Sequence, residues 1–146
     1  MDFLTPERRS RLMARVRGKN TRVEWRVRHL VYTLGYRYRL HVDTLPGTPD
    51  LVFPGRKAVV FVHGCFWHRH HCRRGRIPKS RCEFWSAKLE RNVERDRYVR
   101  RQLEADGWRV MVVWECETLI RDTSSLTQKI IEFLGPSRSV ARVSRR

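Results

Sequence analysis

At 146 residues, with 32 Lys and Arg against 15 Asp and Glu and a net charge of +17, the chain is long enough for one disulfide-free core yet too positive to stay compact without a polyanionic partner. Only five of the basic residues are lysine, and arginine's planar fork suits phosphates and guanine edges, so nucleic acid is the expected partner. No run of about 18 apolar residues occurs and MDFLTPERRS has no apolar signal core, which disfavours membrane and export; the expectation is a soluble, cytoplasmic monomer whose four cysteines bind metal rather than pair.

Residues 1–19 carry Arg8, Arg9, Arg11, Arg15 and Arg17, a basic arm suited to a nucleic-acid groove, with Leu12, Met13 and Val16 at helical spacing and able to pack on a base step. Residues 20–135 form the expected domain. Thr21 is placed as N-cap and Glu24 three residues on as the other half of a capping box. Val23, Val27, Leu30, Val31 and Leu34 then recur with helical period until Gly35. If that helix start faces the chemistry, Glu24 can do more than cap.

Tyr36 to Leu40 alternates like a half-buried strand. After the loop LPGTP, Asp50 opens a hairpin of Leu51-Val52-Phe53, a Pro54-Gly55 turn and Ala58 to Val62. From Cys65 to Arg81 periodicity disappears in favour of His, Arg and Pro. Glu83 to Asp106 reads as a long helix with Trp85, Leu89, Val93, Val99 and Leu103 on one stripe, WRVMVVW as a buried strand, and Ser124 to Leu134 as a closing helix. Residues 136–146, with four arginines and no acid, are an expected disordered tail. Together these elements predict an α/β fold with a sheet of mixed direction.

The chemistry concentrates between Leu45 and Cys72. Cys65, His70 and Cys72 lie in one loop and Cys116 follows the WRVMVVW strand, a four-donor set that zinc can staple, with His71 and Cys82 as competing ligands. If His70 goes to zinc, His63 and His68 remain. With Asp50 they suit phosphodiester hydrolysis: a carboxylate to hold magnesium and imidazoles to move a proton. Phe66-Trp67 beside them, and Trp85 beyond the basic loop, can stack on or wedge between bases, although Trp85 also begins a core stripe.

The segments LPGTPDLVF, VFVHGCFWHRHHC, EFWSAKLERNVERDR and GWRVMVVWEC resemble the very short patch repair (Vsr) endonuclease family from about Met13 to Cys116. The resemblance implies a restriction-endonuclease-like mixed sheet flanked by helices, with a structural zinc. It also implies magnesium-dependent nicking of one strand 5′ of the thymine in T:G mismatches left by 5-methylcytosine deamination, and mismatch-repair accessory partners. By motif, Asp50 resembles the magnesium-binding aspartate and His68 the histidine acting on water, with His63 and Glu24 supporting. Cys65, His70, Cys72 and Cys116 match the zinc ligands, and Phe66, Trp67 and Trp85 the aromatic wedge from the major groove. The arm, including Met13 and Arg15, would lie in the minor groove. The Asp/Glu-x-Lys half of the general nuclease pattern is missing, since the second hairpin strand ends Phe61-Val62-His63; the Val62 carbonyl can take a place on magnesium.

Three rivals remain at this stage, the weakest a zinc hydrolase, which four protein ligands on the metal would leave without an open coordination position. A non-catalytic zinc-containing DNA-binding module accounts for the charge and the Cys/His loop but leaves Asp50, His63 and His68 without work. A restriction-type nuclease of the same fold would cut matched DNA instead.

Overall fold

The computed structural model describes residues 21–137. The basic arm, with Met13 and Arg15, and the tail from residue 138 onward lie outside the described residues.

Helix α1, Arg22–Thr33, starts on Thr21, whose hydroxyl accepts from the Glu24 backbone N–H at 3.2 Å. A two-residue strand β1, Arg39–Leu40, precedes the hairpin of β2, Leu51–Phe53, and β3, Ala58–His63, joined by a 3-10 turn over Pro54–Arg56. The long helix α2, Cys82–Ala105, leads into β4, Arg109–Trp114, followed by the short α3, Glu115–Leu119, and α4, Ser124–Leu134. Strand order is β1-β2-β3-β4, antiparallel except for the parallel β3/β4 pair. This is a mixed α/β fold with helices on both faces of a four-stranded sheet.

The expected strand from Tyr36 shrinks to two residues because its ends are claimed elsewhere. Tyr36 is buried and donates its hydroxyl to the Gly135 carbonyl, while His41 turns left-handed at φ 45°. Within β2, β3 and β4 the pleat sorts side chains strictly. Leu51, Phe53, Ala58, Val60, Met111 and Val113 pack with Val27 and Val31 of α1 and with Leu126, Ile130 and Leu134 of α4. Val52, Val59 and Val110 point the other way, onto Leu103 of α2. Each such fully buried aliphatic side chain contributes about 1.5–3 kcal/mol relative to exposure.

Strand β4 is the sheet edge, and its outer carbonyls are engaged: Arg100 donates to Val110 O at 3.4 Å and Lys129 to Val112 O at 2.8 Å. Pro136 and Ser137, the first tail residues, pack on the domain. Ser137 is buried and Arg56 donates to Pro136 O at 2.9 Å. Among the described residues no helix is long and apolar enough to cross a membrane.

Candidate active site

The parallel register sets His63 beside Trp114, so β3 and β4 end together and their following loops diverge from one point. A cleft of about 1450 Å³ opens there, between the start of α1, the hairpin and the middle of α2, and it is lined by Glu24, Asp50, His63, Trp67, His68 and Asp96 among others. Chain ends of a parallel pair are a natural place for such a crevice, because the crossover helix cannot cover the point where the loops separate.

Asp50 sits one residue before β2, opposite the end of β3. Its Oδ2 accepts the Val62 N–H at 2.7 Å, which fixes the carboxylate against the strand. Burial pushes its carboxyl up to about 6, helped by the Glu24 charge and opposed by the Val62 N–H, His41 and Arg28. Glu24, buried at the start of α1, directs Oε2 toward Arg28 Nη2 at 2.8 Å and His41 Nε2 at 3.0 Å. His41 Nε2 lies 3.8 Å from Asp50 Oδ1. The helix start therefore faces the carboxylate at the hairpin mouth, and one ligand atom each of Glu24, His41 and Asp50 falls within 4.8 Å of the others. Two carboxylates crowded in a desolvated corner, one with a raised proton affinity, form a donor set that fits a hard divalent cation.

The second group is His63, His68 and Asp96. The two imidazoles stack face to face, centroids 3.7 Å apart and planes 6° from parallel. His68 Nδ1 bonds Asp96 Oδ2 at 2.6 Å. Burial, and then the neighbouring His68, push His63 down to about 3, so its ring is neutral at physiological pH. Its Nδ1 is buried with no hydrogen-bond partner among the described residues. Asp96 and His41 were not singled out in the sequence. Asp96 sits in a run of charges on α2 that looks like an ordinary solvated helix face, and His41 is a lone histidine in a loop.

Beyond His63 the chain turns through a bonded loop, with His70 N–H on Cys65 O at 2.9 Å and Gly75 N–H on Cys72 O at 3.1 Å. Cys65, His70, Cys72 and Cys116 bring their ligand atoms within 4.8 Å of one another; His71 and Cys82 are not in this group. Cys65 is fully buried and burial pushes its thiol up to about 12, whereas the Cys116 backbone N–H points at its sulfur from 3.4 Å. Three sulfurs and one imidazole in such a site suit a soft tetrahedral cation that takes thiolates.

Phe66, Trp67 and Trp85 are brought together on the rim. Their rings meet edge to face, with centroids 5.0 Å (Phe66–Trp67), 5.3 Å (Phe66–Trp85) and 6.1 Å (Trp67–Trp85) apart. All three are half-buried, and Phe84, an exposed ring 5.3 Å from Trp85, extends the cluster. Asn92 of α2 donates to the Trp67 carbonyl at 3.0 Å and ties the rim loop to the helix.

A strongly basic protein draws a polyanion to such a cleft, and carboxylates beside imidazoles are a set suited to phosphodiester hydrolysis. Fold and site thus define a nucleic-acid hydrolase. The family model described as DNA mismatch endonuclease Vsr matches residues 1–74. The chain is 54% identical over 136 residues to the type II nicking enzyme V.XorIIP of Xanthomonas oryzae pv. oryzae, covering 93% of this chain and 98% of that one. It is 40% identical over 129 residues to DNA mismatch endonuclease Vsr of Escherichia coli K12, covering 86% and 83%. The chain belongs to the Vsr family of DNA mismatch endonucleases and is a DNA endonuclease.

Proposed function

We propose that the chain nicks one strand of double-stranded DNA 5′ of the thymine in a T:G mismatch, with magnesium, and so initiates very short patch repair together with mismatch-repair accessory proteins. The observation that carries this reading is the sharing of one cleft by Asp50, His63 and His68 with the Phe66-Trp67 rim. A wedge and a hydrolytic set in one crevice couple unstacking of a weakened step to cleavage beside it. The reading takes residues 20–135 as a restriction-endonuclease-like domain acting as a monomer, with the arm and tail as basic extensions.

Asp50, the Val62 carbonyl and, through its place beside them, Glu24 would hold the magnesium ion. Bound there, magnesium supplies positive charge against the extra negative charge of the phosphoryl transition state. His68 has Nδ1 committed to Asp96, which leaves Nε2 as the atom that takes a proton from the attacking water. Asp96 holds the ring's tautomer and angle and favours the imidazolium that forms. His63, neutral and stacked on His68, limits its rotation and presents a second imidazole to the cleft. Cys65, His70, Cys72 and Cys116 would hold a structural zinc; four protein donors fill a tetrahedron, so this site staples the loop and leaves hydrolysis to Asp50 and the histidines.

The test is cleavage of a panel of duplexes carrying one T:G in varied contexts, with and without magnesium. Nicks 5′ of the mismatched thymine, absent from the T:A control, are expected. Equal cutting of matched duplexes would make it a restriction-type nuclease.

A further inference from the structure

Arg28 is the one buried arginine among the described residues, 3% exposed; of the others described, Arg56 is partly buried and the rest are exposed. Its Nη2 lies 2.8 Å from Glu24 Oε2 and 3.4 Å from His41 Nε2. His41 Nε2 lies 3.0 Å from that same Glu24 oxygen and 3.8 Å from Asp50 Oδ1. The clamp is held on each side. The Trp25 ring covers the guanidinium at 4.9 Å, Tyr38 donates its hydroxyl to the Arg28 carbonyl at 3.4 Å, and the His41 N–H bonds Asp50 O at 3.3 Å. A guanidinium this buried cannot grip a DNA phosphate. It is retained where a fixed anion pairs with it, and here that anion belongs to the cleft.

We propose that Arg28 is a built-in counter-cation of the active site, which locks Glu24 against His41 and, by its permanent charge behind the Glu24–His41–Asp50 set, weakens that set's affinity for the divalent ion. The inference rests on the reading of Asp50 and Glu24 as the cation corner. A carboxylate engaged by a buried guanidinium gives an incoming ion a smaller electrostatic gain than a bare one. One of the site's two carboxylate charges is then offset before any ion arrives, which lessens the repulsion between Glu24 and Asp50 and the pull on stray cations. Glu24 acts through its position, and Arg28 is the residue that sets it.

The test is manganese binding to the full-length, zinc-loaded, DNA-free protein, measured by calorimetry and by the paramagnetic signal of free Mn²⁺. Arg28→Met removes the guanidinium charge beside Glu24 and should bind Mn²⁺ about tenfold tighter than wild type. Arg28→Lys keeps the charge and should stay within about threefold of wild type. Glu24→Gln removes the carboxylate charge beside Arg28 and should bind about tenfold more weakly, and the Glu24→Gln/Arg28→Met double variant, with the same net charge as wild type, should return to within about threefold of wild type. Should Arg28→Met fail to fold, as judged by near-ultraviolet circular dichroism, the comparison of Glu24→Gln with the double variant decides. Equal affinities in wild type, Arg28→Met and the double variant, or a double variant no tighter than Glu24→Gln, overturn the counter-cation role. Wild-type Mn²⁺ binding that Asp50→Ala leaves unchanged overturns the cation corner itself.

Discussion

The carboxylate of Asp96, near the middle of α2, lies 2.6 Å from Nδ1 of His68 in the loop after β3. A residue from the crossover helix thereby holds an imidazole of the loop beyond the hairpin, and the cleft lies between them. Replacing His68 by Ala should slow nicking by roughly 10² to 10⁴, the usual effect of losing a general base. Asp96→Asn should slow it by about tenfold or more within the same range, since an amide no longer favours the imidazolium. Single-turnover nicking of a T:G duplex measures both; an unchanged rate for Asp96→Asn would mean that His68 is oriented by something else.

Asp50 gives a pH signature in magnesium-free protein. Its folded-state carboxyl, near 6, lies above the ordinary aspartate value of 3.8, so the folded state holds a proton that the unfolded chain has released. This contribution destabilises the protein as pH rises from about 4 through 6. Asp50→Asn should therefore be the more stable protein at pH 7, by up to about 3 kcal/mol, and the advantage should vanish below about pH 4. Thermal melts across that range check it. The same variant should lose nicking and keep most of its DNA affinity.

His63 acts with the opposite slope. Its folded-state value near 3 lies below the ordinary histidine value of 6.5, so its contribution is complete above pH 6.5 and is lost as pH falls toward 3. His63→Gln, which does not titrate there, should flatten the acid limb of the stability profile. An unchanged limb would show that other groups carry it.

On the proposed zinc reading, Cys116→Ser should release the ion and lower the stability of the whole domain, because that thiol, in α3 just past β4, meets the loop after β3. Cys82→Ser should do neither, since Cys82 is exposed and outside the group. Gly75→Ala should mimic Cys116→Ser in milder form: a Cβ at Gly75 would come within 1.7 Å of the His70 carbonyl and push that ligand aside. Metal content per chain, measured together with melting temperature, distinguishes the three.

Trp67→Ala tests the rim. Stacking of a base on an aromatic side chain contributes roughly 1–3 kcal/mol, so the variant should lose about that much affinity for T:G duplex while T:A affinity changes little and the salt slope, set by phosphate contacts, stays the same. A uniform loss on both duplexes, or loss of near-ultraviolet dichroism, would assign Trp67 to packing with Phe66 and Trp85 instead.

Much of this molecule is written locally in its sequence. The Thr21 cap, the Val27 and Val31 stripe, the hairpin after Asp50 and the long helix ending near Gly107 are periodic or capped signals that neighbouring residues determine among themselves, and they appear in the structure within a residue or two. The Cys/His loop was legible for the same reason, since three of its donors sit within eight residues and only Cys116 comes from afar. The sheet decided the rest. Asp96, Arg28 and His41 are charged or polar residues on a helix or in a loop, indistinguishable in sequence from solvated neighbours. Asp96 lines the cleft, and Arg28 and His41 back its carboxylates, only because β3 and β4 pair in parallel and carry α2 across the mouth, while α1 lays its first turn against the hairpin. A side chain's neighbours along the chain follow from its own segment; its neighbours across a sheet follow from strand register and helix placement, which long-range packing settles.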